Sequence, residues 1–165
     1  VAKAYKNAGP ICFAFTIVAA IGIVFGLITW QPLVPLFLLI PTIVYEVYRT
    51  EGESTKWASR LLLLVFILEI VLIAANISFD LSSFLGQSER WVAGYRVPLG
   101  DIKVVGPAVM AILSVVLFIR TRGRYTKWLA VVIFITAFAI VYTMDRSIFS
   151  RLVRIGIDEG LNQIR

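Results

Sequence analysis

The sequence predicts an all-α integral membrane protein: a five-span transmembrane helical bundle with an outer interfacial helix and a C-terminal amphipathic helix. Of its 165 residues, 59% are apolar and only 16% are charged, against roughly a quarter charged in soluble domains. The charges are also unevenly spaced. None occurs between Lys6 and Glu46, none between Lys103 and Arg120, and none between Lys127 and Asp145, and gaps of that length read as membrane spans. Finally, the tryptophans Trp30, Trp57, Trp91 and Trp128 and all six tyrosines fall at the ends of apolar runs or in surface segments. Amphipathic rings prefer the headgroup region, so the five-span division puts each of them where it is most stable. No composition break divides the chain, and residues 1–165 read as a single transmembrane domain.

Span one covers about residues 10–30. Pro10 stands where a helix start tolerates it and Trp30 stands at the far interface. Lys3 and Lys6 before an apolar run have the layout of a signal peptide, but the run is long enough to be an uncleaved first span. Within it Gly22 and Gly26 form a G-x-x-x-G pair extended by Ala19, a face of small residues that lets a neighbouring helix approach closely. Gln31 and Pro32 leave room only for a tight turn, so span two, about residues 33–49, returns antiparallel beside span one, with Pro35 and Pro41 marking it as bent. The polar run from Thr50 to Lys56 is a solvated loop.

Span three is read as residues 58–79, about 33 Å of helix at 1.5 Å per residue. This places Glu69 near the middle of the bilayer. At 100° per residue Asn76 and Asp80 lie about 20° to either side of it, so the three form one polar stripe leading from the Asp80 end to the midplane. The segment from Asp80 to Asp101 is too polar to span yet keeps Phe84, Leu85, Trp91, Val92 and Tyr95; it reads as a short interfacial helix followed by a turn. Span four covers about residues 102–119, with Lys103 snorkelling and Pro107 in the first turn. A basic turn leads to span five, about residues 127–143. Residues 145–165 place Ile148, Phe149, Leu152 and Ile155 on one face and Arg151 and Arg154 on another, as an amphipathic helix does.

The lysines and arginines orient the chain. Five spans put nine of them on the side of Lys3, Arg49 and Arg120 and seven on the other. The positive-inside rule then sets the N-terminus in the cytoplasm and the C-terminus outside, in a cytoplasmic membrane of prokaryotic type. The net charge of +6 is concentrated at span ends, where it favours anionic lipid headgroups rather than nucleic acid. Arg120, Arg122, Arg124 and Lys127, with Arg151 and Arg154, are the candidate headgroup or partner contacts.

Several chemistries are excluded on residue type. The chain has no histidine, which removes bis-histidine haem, the usual zinc and copper sites and the histidine base of most hydrolytic triads. The single cysteine, Cys12, lies in the first apolar run, where it reads as a small buried side chain. No phosphate loop, carboxylate pair or serine elbow occurs. Neither an enzyme nor a metal or cofactor site is expected.

Glu69 is the candidate that remains. A carboxyl at bilayer depth is either a proton or cation site, or a neutral side chain that hydrogen-bonds a neighbouring helix or subunit. No Lys or Arg of the chain is expected at comparable depth to pair with it. These features point to an accessory or structural subunit of a larger membrane complex, of respiratory, photosynthetic or transport type. Its partners would be anionic lipids and unlike membrane subunits in preference to copies of itself. The alternative is a small proton- or cation-coupled transporter or channel subunit, with Glu69, Asn76 and Asp80 as the path.

Overall fold

The computed structural model describes residues 7–50, 52–77, 89–92, 95–98 and 102–144. They form five helices: α1 (Ala8–Thr29), α2 (Leu33–Arg49), α3 (Glu53–Ala74), α4 (Ile102–Arg120) and α5 (Arg124–Met144), with a short hairpin of β1 (Glu89–Val92) and β2 (Tyr95–Pro98) between α3 and α4. Four of the helices, α1, α3, α4 and α5, are long and apolar enough to cross a membrane. The 17 residues of α2 make about 26 Å of helix, at the short end of what a bilayer requires.

The packing order follows the chain around the bundle. α1 packs on α2, α2 on α3, α3 on α4 and α4 on α5, and α5 closes back on α1 and also on α2. Landmarks fix the directions. Thr16 near the start of α1 accepts a hydrogen bond from Trp128 Nε1 at 2.8 Å, and Trp30 at the end of α1 lies 6.3 Å from the ring of Tyr142. The first and last helices are therefore parallel. Phe15 meets Tyr45 edge-on at 5.4 Å, and the Arg49 guanidinium lies 5.2 Å from the Tyr125 ring centroid, so α2 runs antiparallel to both.

The core is apolar and is supplied mainly by α2 and α5. Leu36, Leu39 and Ile43 of α2, and Leu129, Ile133 and Ile140 of α5, have no exposed surface. The outward faces are equally apolar: Phe13 is 60% exposed, Ile28 69%, Leu64 61% and Ile112 64%. In water such a surface would be strongly unfavourable, and hydrocarbon is the solvent that suits it.

Small residues set the closest approach. A side chain at Gly22 would come within 3.0 Å of Leu38 Cβ, and one at Gly26 within 2.6 Å of Pro35 Cδ, while Ala19 on the same face is 2% exposed. The stripe of Ala19, Gly22 and Gly26 is thus turned onto α2, and Pro35 in the first turn of α2 fills the space the glycines leave.

Two expectations need correction. The third helix begins and ends five residues earlier than the span predicted there. The helix stops at Ala74 because Asn76 adopts a left-handed φ of 49°, and the chain closes there with Asn76 N–H bonded to Ile73 O at 3.1 Å and Ile77 N–H to Leu72 O at 3.0 Å. That pair of bonds is a Schellman ending, and Asn is the residue after Gly that best tolerates the required conformation. Second, within the segment 80–101, read as a short interfacial helix followed by a turn, residues 89–92 and 95–98 pair as a hairpin, and the remainder of the segment lies outside the described residues. The hairpin register sets Val92 opposite Tyr95 and Glu89 opposite Pro98. The aromatic and β-branched residues Trp91, Val92, Tyr95 and Val97 favour strands. The amphipathic helix expected over 145–165 lies outside the described residues.

Candidate functional site

Glu69 belongs to the buried stripe of α3. Leu62, Phe66 and Glu69 follow one another at spacings of four and three, the step that keeps side chains on one helical face, and they are 0%, 2% and 0% exposed. At Glu69 the stripe meets α4, where Gly106 lies against the glutamate. A side chain built at Gly106 would fall on the carboxyl, 2.7 Å from Glu69 Cδ and 3.3 Å from Cγ. The carboxyl thus occupies room that exists only because residue 106 has no side chain.

The position of Glu69 along its helix also differs. With α3 ending at Ala74, Glu69 stands five residues from the helix end, about 7.5 Å along the axis, and not at its middle. The predicted stripe does not continue through Asn76, because the left-handed turn takes Asn76 off the helical face. Its side chain serves another purpose: Asn76 Oδ1 accepts a hydrogen bond from Lys103 Nζ at 3.0 Å, tying the end of α3 to the start of α4. Asp80 lies outside the described residues.

Lys103 corrects a further expectation. It is three residues before Gly106, less than one helical turn, so α4 brings a basic residue to within about 4.5 Å along its axis of the place where Glu69 rests. Treating Lys103 only as a snorkelling residue at a span end had set it too far away. The reason is the packing register of α3 on α4, which sets Glu69 against Gly106.

A second buried acid was not anticipated. Glu46 closes the first charge-free gap of the sequence, yet in α2 it has no exposed surface. Its placement was legible: Leu36, Leu39, Ile43 and Glu46 follow at steps of three, four and three, so Glu46 continues the core stripe of α2. Thr50, just beyond the helix end, donates from Oγ1 to Glu46 O at 2.8 Å and lies 3.1 Å from Glu46 Oε1.

The basic residues gather at one end. Arg120, Arg122 and Arg124 are exposed around the α4–α5 turn, and Lys127 Nζ lies 5.4 Å from the Phe118 ring centroid. Arg49 at the end of α2 donates to Tyr45 Oη at 3.1 Å beside Tyr125. The start of α1 is at the same end, with Tyr125 in contact range of Gly9. Arg151 and Arg154 lie outside the described residues. Among the described residues no group of three or more Cys, Asp or Glu side chains could hold a metal ion.

Helical bundle geometry, an apolar outer surface and helices of membrane-crossing length define the class to which this chain fits. No family model, curated protein or solved structure matches it.

Proposed function

We propose that this chain is a structural subunit of a larger membrane complex, crossing the bilayer five times with the start of α1 on the cytoplasmic side and the end of α5 outside. The observation that carries the reading is the seat of Glu69. Its carboxyl is enclosed between α3 and α4 on a glycine, as expected of a polar side chain that joins two helices. The alternating helix directions support the topology, since they collect Arg49, Arg120, Arg122, Arg124 and Lys127 at one end. That basic end suits the anionic headgroups of a cytoplasmic leaflet. No cofactor is needed for this role.

The second reading is a small proton- or cation-coupled transporter or channel subunit. The observation that favours it is Glu46, which gives the bundle a second enclosed carboxyl nearer the opposite end from Glu69. A self-sufficient transporter would form a homo-oligomer or an internal repeat around its path.

Native mass spectrometry of gently solubilised protein separates the two. Association with unlike membrane chains is the expected result, and a homo-oligomer free of other chains would favour the transporter. The topology is checked by labelling single cysteines with Cys12 replaced. Position 53 should react from the cytoplasmic side and position 88 from outside, and the reverse pattern would refute the orientation.

A further inference from the structure

Glu46 offers more than a buried charge, because its hydrogen bonds can be accounted for atom by atom. Thr50 Oγ1 is 2.8 Å from Glu46 O and 3.1 Å from Glu46 Oε1, but a hydroxyl carries a single hydrogen. The shorter contact takes it. The longer one is then a full hydrogen bond only if the carboxyl is neutral and its proton sits on Oε1, donating to the lone pair of Thr50 Oγ1. In that state Oε2 is a carbonyl-type acceptor. It is buried and has no hydrogen-bond partner among the described residues, and the same holds for Thr42 Oγ1.

These two atoms belong to neighbouring side chains. Thr42 and Glu46 are four residues apart on α2, which sets their Cβ atoms about 5–6 Å apart on one face, and both residues are 0% exposed. An acceptor and a hydroxyl on one helical face, both buried and both without a partner among the described residues, are groups of the kind that a single buried water usually joins. The surroundings leave the site polar only locally. Arg49, one helical turn from Glu46, is turned to Tyr45 and Tyr125.

We propose that Glu46 is held in the bundle as a neutral carboxylic acid and that its Oε2 and the Thr42 hydroxyl bind one water molecule between them. The water donates to Oε2 and accepts the hydrogen of Thr42 Oγ1, while Glu46 Oε1 donates to Thr50. This site is independent of Glu69 and of the role assigned to it.

Infrared spectroscopy of the protein in lipid at neutral pH tests the proposal. A Glu69→Gln background removes the other described buried acid. The expected result is a protonated-carboxyl C=O band that disappears in the Glu46→Gln, Glu69→Gln protein. A narrow water O–H stretch should accompany it and shift on exchange into H2(18)O. Thr42→Val, which keeps shape and loses the hydroxyl, should remove that O–H stretch and raise the C=O frequency, and Thr42→Ser should retain both. Failure to see the C=O band in a folded Glu69→Gln protein would overturn the neutral acid. A C=O band that is present without the isotope-sensitive O–H stretch would replace the water by a direct Thr42–Glu46 bond. A carboxylate band that responds to sodium would assign the site to a cation and likewise overturn the proposal.

Discussion

The carboxyl of Glu69 and the missing side chain of Gly106 are complementary: one occupies the space that the other vacates. Gly106→Ala should therefore destabilise the α3–α4 contact by about 1–3 kcal/mol, the usual cost of overpacking. Pairing it with Glu69→Ala, which empties the same space, gives a specific test. The double variant should lose less stability than the sum of the two single changes, by about 0.5–3 kcal/mol. Additive losses in unfolding measurements would show that the two residues do not share the space.

Glu69 itself separates the two functional readings. Glu69→Gln keeps size and hydrogen-bonding capacity but cannot ionise, whereas Glu69→Leu loses both. A structural role predicts that the Gln variant assembles and functions normally while Leu weakens the bundle or its complex by about 0.6 to 2 kcal/mol. A proton or cation site predicts a Gln variant that assembles and has lost transport, because the change of charge state is the mechanism. A folded, assembled and inactive Gln variant would promote the transporter.

On the opposite side of the bundle the α1–α2 seam should rank its own substitutions. An added methyl at Gly26 meets Pro35 Cδ at 2.6 Å, whereas at Gly22 it meets Leu38 Cβ at 3.0 Å. A proline ring yields less than a flexible side chain, so Gly26→Ala should cost more than Gly22→Ala. Both Gly→Leu changes should be severe. Ile28→Leu, on a residue 69% exposed, should leave thermal stability in detergent unchanged. Equal tolerance at all three positions would rule out the close approach.

Asn76 carries two roles that substitution can divide. Asn76→Gly keeps the left-handed backbone and loses the bond from Lys103; Asn76→Ala loses the bond and adds the cost of a Cβ in the left-handed region, about 1–2 kcal/mol. The Ala variant should be the less stable by about that difference. If Gly proves as damaging as Ala, the helix end depends on the Lys103 link and not on the backbone conformation.

How much of this was legible in the sequence differs from residue to residue. Long charge-free gaps, the aromatic residues at their ends and the small-residue stripe of Ala19, Gly22 and Gly26 are local or periodic signals, and they suffice to place helices and name a packing face. The bounds of α2 could be read directly, because Pro32 and Thr50 punctuate it. Glu46 was legible as well, through its spacing from Leu36, Leu39 and Ile43 within span two. Other features could not be read. Where α3 stops depends on a backbone conformation at Asn76 that a helical pattern cannot reveal, and the stripe through Asn76 was lost with it. Only the packing of α3 against α4 sets Glu69 on Gly106 and brings Lys103 close along the axis, because helices distant in sequence acquire a register through the shapes of their side chains, and hydropathy carries no information about that register.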